Sequence, residues 1–359
     1  MKRIRIWALL LAAALMLSGC GKELPETQAA IPTLETKSTE NANAPEETTA
    51  VLPESTAEET TTEEETTIEE ETTTEEETTT EEETTTEEVT SEAQTQDASD
   101  AVAWNGLANG DTVSLYSSWE FADYSEIHSG SAVMYLAKSN RNNIIVGINA
   151  GHGTQGGSNV KTWCHPDQTP KVTGGTTEAG ATKAIAVSSG MTFYDGTPEA
   201  QVTLRMAQIV RDELLSRGYD VLMIRDGEDV QLDNVARTVI CNNMANCHIA
   251  IHWDGDGLSY DKGSYYMSVP DGIKYMYPVS NTWEASEALG ESLIYGLTNA
   301  GCSIMGSGSM DMDLTQTSYS SVPSVDIELG NAASSHDDST LYWQAGGLAD
   351  GVDHYFGLD

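Results

Sequence analysis

From Thr60 to Glu88 the chain runs as an almost perfect TTTEEE repeat of period six, and this stretch limits where a folded domain can lie. Ile68 is the only apolar side chain within it, so a solenoid of short repeats would have nothing to bury. Consecutive glutamates repel one another, and the β-branch of threonine makes it a poor helix former. Between residues 21 and 100 there are 26 Asp and Glu against Lys22 and Lys37. The expectation for 21–100 is a disordered, self-repelling, extended Thr/Glu-rich tether. Its coil dimension would be roughly 50 Å, more with charge expansion. A solubilising tail with no length requirement fits the same composition, and the threonines offer sites for glycans.

Residues 1–20 read as a targeting segment. Lys2, Arg3 and Arg5 form a basic start, and Ile6 to Met16 an apolar core too short to span a bilayer as a helix. Leu17 to Cys20 (LSGC) is a small-residue cleavage site ending in cysteine. That tetrapeptide resembles the bacterial lipobox. The resemblance implies cleavage before Cys20, lipidation of Cys20, and an extracytoplasmic protein anchored to the membrane by its acyl chains. An ordinary secretory signal followed by a free cysteine is the alternative. Four cysteines then remain, Cys164, Cys241, Cys247 and Cys302, which outside the cell can form two disulfides in any of three pairings. None of their spacings is that of a structural zinc finger.

From residue 101 onward the chain carries 31 acidic and 12 basic side chains, within a net charge of −40 for the whole. A domain this acidic excludes nucleic-acid binding through phosphates, which needs clustered Lys and Arg. Residues 101–141, with one alternating run from Ser131 (SAVMYLA), read as an N-terminal extension, and 142–359 as the main folded domain. Ile144 to Asn149 is an apolar, β-branched run of the kind buried on both faces of a sheet. It breaks into Gly151-His152-Gly153. A long Gly- and Thr-rich excursion, Thr154 to Gly196, follows, and connections of that length are usually lids or binding loops.

Regular patterning resumes with Thr197 as N-cap and Pro198 and Glu199 in the first turn of a helix. Val202, Met206, Ile209, Val210 and Leu214 mark its apolar face. Strands are expected at Tyr219–Arg225, His248–Trp253, from Gly263, and at Val322–Gly330. Helices are expected from Asp233, from about Thr282 to Asn299, and from Leu341 to Phe356. This alternation predicts an α/β fold, a mainly parallel twisted sheet with helices on both faces, in a single domain after the acidic linker.

Four chemical residues fall at comparable places in that pattern. His152 follows the first strand, Glu199 opens the first helix, His252 ends HIAIH, and Glu328 ends SVDIE. Two imidazoles and a carboxylate are a zinc ligand set that leaves one position open for water, and a further glutamate serves as general base. His248 lies on the same strand face as His252 and reads as structural or as a support for the ligands. His165, within CHPD of the excursion, competes for a metal role.

The segments INAGHG, PEAQVTLRMAQIVRDELLSRGYDVLMIR, RTVICNN, AIHWD and PSVDIELG, in this order, resemble the zinc-dependent N-acetylmuramoyl-L-alanine amidases of the type-3 catalytic family. The resemblance runs from about Ile144 to the C-terminus. It implies Zn2+ as cofactor, with His152, Glu199 and His252 as ligands and Glu328 as the catalytic glutamate. It also implies cell-wall peptidoglycan as substrate, cut at the amide between the lactyl group of muramic acid and L-alanine. Arg225 and Arg237 match family arginines and read as structural. The chain departs from the family pattern at Trp253 and Asp254, where a small residue and Asn are usual, and at Asn331, where an aromatic is usual. Trp253 and the tyrosines between Gly263 and Tyr277 are candidates for stacking on sugars or for packing. Two other functions are compatible with the residues: a catalytically silent or activator-dependent wall-binding protein, and a zinc peptidase acting on another amide.

Overall fold

The structure, a computed structural model, describes residues 102–359; the expected signal segment, Cys20 and the tether lie outside the described residues. In chain order the elements are β1 (Thr112–Val113), β2 (Ala132–Tyr135), β3 (Ile145–Ala150), β4 (Lys161–Trp163), β5 (Lys183–Ile185), α1 (Glu199–Ser216), β6 (Asp220–Met223), α2 (Asn234–Met244) and β7 (Cys247–Asp254). Then follow β8 (Ser264–Ser268), α3 (Val279–Ala300), β9 (Ile304–Asp311), α4 (Thr315–Tyr319), β10 (Ser324–Asn331) and α5 (Asp338–Phe356).

Eight strands form one sheet in the order β1-β2-β6-β3-β7-β10-β8-β9, and β4 and β5 pair as a separate hairpin. The four central strands β6, β3, β7 and β10 run parallel. Antiparallel pairing is confined to the flanks: β1 on β2, β2 on β6, and β8 on β10. Residues 102–141, expected as an extension, thus supply two strands of the sheet itself.

Strand alternation sorts the core into two layers. Val146, Ile148, Val221, Met223, Ile249, Ile251, Val325 and Ile327 face α1, α3 and α5. Ile145, Leu222 and Ile224 point the other way, against Ala236, Ile240 and Cys241 of α2. The apolar stripe expected on α1 is buried in the first layer. Burying such side chains is worth about 1.5–3 kcal/mol each, which fixes the register and so the side of the sheet each polar residue occupies.

Several boundaries differ from expectation. Thr197 is not the cap of α1. Pro198, extended at ψ 137°, occupies that place without a side-chain cap, and Glu199 turns its carboxylate into the protein. Asp233 does cap α2, accepting from the backbone N–H of Ala236 at 2.8 Å. Helix α3 starts at Val279, three residues before Thr282, directly after Pro278. Strand β9 was not foreseen, because IMGSGSMD lacks alternation and carries Gly306 and Gly308 at positive φ. The four cysteines are all free and buried, so none of the three disulfide pairings forms. Among the described residues, no helix is long and apolar enough to cross a membrane.

Candidate metal centre

The centre is built on the turn that ends β3. His152 itself lies in the left-handed region at φ 64°, followed by Gly153 at 67°. A histidine there is strained, and the strain must be supported by its surroundings. Two buried arginines supply that support. Arg237 donates to Asn149 Oδ1, to the carbonyls of Ala150, His152 and Leu232, and to Thr154 Oγ1, at 2.6–3.2 Å. Arg225 donates to the carbonyls of Ala150, Gly151 and Ala200 at 2.8–3.1 Å. Both guanidinium groups therefore bind the turn backbone, and Arg237 also borders the cavity in front of it. Their fork of donors meets carbonyls that the turn takes out of regular pairing.

The turn aims His152 at Glu199 and His252. His152 Nε2 lies 2.8 Å from Glu199 Oε1, His252 Nδ1 lies 3.1 Å from the same oxygen, and the two nitrogens are 3.0 Å apart. Glu199 is nearly fully buried at the first turn of α1. Its Oε1 accepts from the N–H of Trp253 and its Oε2 from that of Met191, at 3.1 and 2.8 Å. Burial alone would raise its pKa. Hydrogen bonds from the two imidazoles outweigh that and hold the carboxyl well below the usual range. His252 is lowered by burial but raised more by Asp326, Glu199 and Glu328, to about 10.

This donor set fits a small divalent cation. Three ligands at ~2.0–2.1 Å on a tetrahedron stand about 3.3 Å apart, and the three donor atoms here stand 2.8–3.1 Å apart. Two imidazole nitrogens and one carboxylate oxygen are ligands suited to zinc. Among the described residues this trio is the one group of His, Cys, Asp and Glu so arranged. His152 Nδ1 rests against the carbonyl of Ser188 at 2.9 Å, which turns its Nε2 lone pair toward the centre.

Glu328 stands beside this trio on β10, in register with His252 across the parallel ladder. Its Oε2 is buried without a hydrogen-bond partner, and it lines the same cavity, of about 570 Å³, as His152, Glu199 and His252. Burial pushes its carboxyl well above the usual range. The charge of His252 opposes this, while Asp326, Glu199 and Asp254 add to it. Asp326, two residues earlier on the same strand face, was not singled out from the sequence. The alternation of SVDIELG, with Val325, Ile327 and Leu329 facing the core, is the signal that would have found it.

The other candidates fall elsewhere. His248 is fully buried, 3.4 Å from Ser324 Oγ, and takes no part in the centre. His165 is clasped by both oxygens of Asp313 at 2.9 and 3.0 Å and by Thr169 Oγ1 at 2.9 Å. It pins the excursion to the segment before α4 and lies outside the trio of donors. The excursion's return, Ser188 to Met191, packs on the centre. A Cβ on Gly190 would fall 2.8 Å from both Glu199 Oε2 and His152 Cδ2, so only glycine fits.

Trp253 is buried against Phe193, 5.9 Å between ring centres, and Tyr265 and Tyr266 are likewise buried, so these three rings pack in the core, whereas Tyr275 and Tyr277 are exposed. Asp254 accepts from Lys262 and from Tyr265 Oη, the latter at 2.7 Å. Asn331 donates to Asp256 at 3.1 Å and to the carbonyl of Tyr260 at 3.0 Å. The unusual residues after the second histidine and after ELG thus tie down one loop together with Lys262.

A group of three donors able to hold a metal ion, set at the carboxyl ends of parallel strands, is what this fold and site define. The sequence profile of the family described as N-acetylmuramoyl-L-alanine amidase matches residues 146–349, more than half of the chain, and the chain belongs to that family of cell-wall amidases. The N-acetylmuramyl-L-alanine amidase Ami1 of Mycobacterium smegmatis has a similar structure, with a TM-score of 0.51 and 18% identity over 62% of this chain and 100% of that one. Ami1 of Mycobacterium abscessus aligns at a TM-score of 0.48 and 20% identity over 59% and 98% of the two chains. The catalytic domain of CwlV, an amidase from Bacillus (Paenibacillus) polymyxa, aligns at 0.43 and 19% over 60% and 99%. A comparison with curated protein sequences finds no match.

Proposed function

We propose that His152, Glu199 and His252 hold a zinc ion and that Glu328 is the general base and acid for hydrolysis of the amide between N-acetylmuramoyl lactyl groups and L-alanine in peptidoglycan. The observation that carries the reading is the convergence of three N and O donor atoms within 3.1 Å of one another, beside a buried glutamate with an unpartnered oxygen. Zinc in this centre supplies Lewis-acid polarisation of the scissile carbonyl and lowers the pKa of a water toward ~7.

The chain's own groups do the rest. Glu328 takes a proton from the attacking water as its oxygen bonds to the carbonyl carbon, and passes it to the departing nitrogen as the C–N bond breaks. Burial raises the affinity of this carboxyl for the proton it must hold between the two steps. Hydrolysis leaves a lactyl carboxylate on the glycan and a free amino terminus on L-alanine. Arg225 and Arg237 keep His152 in its strained turn, and Ser188 keeps its ring oriented.

The reading includes a place for the enzyme. Lipidation at Cys20 would hold it on the outer face of a membrane. The acidic segment 21–100 would let the catalytic domain reach wall material above that membrane. Labelling cells with a fatty-acid analogue, wild type beside Cys20→Ala, tests the anchor; an unlabelled wild type removes it.

The activity is tested by incubating the full chain with purified peptidoglycan, with and without added Zn2+ after chelation. New L-alanine amino termini that require zinc and vanish in His152→Ala are expected. Stoichiometric zinc with no release from several wall types overturns the proposal.

A further inference from the structure

The imidazole of His252 is constrained on three sides. Its Nδ1 faces His152 Nε2 and Glu199 Oε1 at 3.0 and 3.1 Å. Its ring lies on Gly151, where a Cβ would fall 2.2 Å from Cε1. Its Nε2, on the opposite edge, meets Asp326 Oδ2 at 3.7 Å.

Asp326 reaches that nitrogen because β10 presents it on the same face as Glu328, one alternation earlier, opposite Ala250 of β7. The small Ala250 side chain leaves the carboxylate and the imidazole room to meet. The other oxygen, Oδ1, is buried and has no hydrogen-bond partner. A buried, incompletely bonded carboxylate opposes folding, so stability is not what the residue provides at this position. What it faces is the outer nitrogen of a ring whose inner nitrogen points at the metal centre. His152 shows the same arrangement with the nitrogens exchanged: Nδ1 is held by the Ser188 carbonyl and Nε2 points inward.

We propose that Asp326 is a positioning residue for His252, taking the Nε2–H so that the ring holds the tautomer whose Nδ1 lone pair faces His152 and Glu199. The contact at 3.7 Å is a charge contact, and an approach of about 0.8 Å makes it a hydrogen bond of ordinary length. A carboxylate on the outer nitrogen fixes ring orientation and raises ligand basicity, which is how such partners act on metal-bound histidines in general. The inference rests on the reading of His252 as a metal ligand.

The test measures Zn2+ affinity of the full chain by competition with a chromophoric chelator at fixed pH, for wild type, Asp326→Leu, Asp326→Asn and His252→Ala. It also records the thermal midpoint of each metal-free protein. Asp326→Leu should bind zinc about 10–100-fold more weakly, with a metal-free midpoint equal to or above wild type. Asp326→Asn keeps an acceptor and should recover most of the affinity. Wild-type affinity in Asp326→Leu, with His252→Ala having lost zinc, overturns this inference and leaves the metal centre standing. Equal weakening in both Asp326 variants together with a lowered metal-free midpoint marks a merely structural role and also overturns it. Wild-type affinity in His252→Ala overturns the reading of the centre itself.

Discussion

Glu328 lies directly across the parallel ladder from His252. Adjacent strands stand about 4.8 Å apart, so the proposed general base and a proposed metal ligand occupy neighbouring strands of one sheet. Their separation is set by main-chain hydrogen bonding rather than by loop conformation. Replacing Glu328 with Gln keeps the volume and removes the proton acceptor. Hydrolysis should fall by about 10²–10⁴-fold or more, with zinc content unchanged, as measured by released L-alanine amino termini and metal analysis of the same sample. A parallel loss of zinc would place Glu328 among the ligands.

Gly151 is required by the approach of the His252 ring. In Gly151→Ala the new methyl would overlap the ring, within 2.2–2.6 Å of three of its atoms. The ring must move, because the alternative is displacement of a strand end locked in the sheet. Zinc affinity should drop at least tenfold while far-ultraviolet circular dichroism stays native. Unaltered affinity would show that the ring tolerates a second position.

Arg237 bonds five oxygens of the turn and its surroundings. Arg237→Leu leaves Asn149 Oδ1 and the His152 carbonyl without this donor, and should cost about 3 kcal/mol. Arg237→Lys should recover little, since one ammonium cannot span the planar fork of contacts. Chemical denaturation of the metal-free chain measures both. Near-wild-type stability of the lysine variant would mean that charge alone supports the turn.

His248 predicts an acid-side slope. Unfolded, its imidazole takes a proton near 6.5; folded, burial first and the charge of Arg237 second push it down to about 3. Between those values the unfolded chain holds a proton that the folded chain does not. This contribution to stability is therefore present above about 6.5 and is lost as pH falls, by about 1.4 kcal/mol per unit. His248→Gln removes it, so thermal midpoints of the metal-free variant should fall less between pH 7 and 4 than those of wild type. Identical slopes would show that His248 is protonated in the fold.

Much of this was legible along the chain because the physics involved is local. Apolar runs such as IIVGIN and the 3.6-residue stripe of α1 report burial directly, so the parallel sheet and its two helical layers follow from periodicity. His152, Glu199 and His252 could be paired with strand and helix ends, where such sheets build sites. The TTTEEE repeat carries only an expectation from composition, since it lies outside the described residues.

Tertiary structure decided what depends on register and on contacts between distant segments. Whether Asp326 meets His252, that Gly190 closes over His152, and that His165 pairs with Asp313 all depend on residues 38 or more positions apart. Asp254 and Asn331 are unusual as letters, and are accounted for once Lys262 and Asp256 are seen between them. No local period encodes these contacts. A one-residue shift of β10 would send Asp326 and Glu328 to the opposite face, and only the packed sheet sets that register.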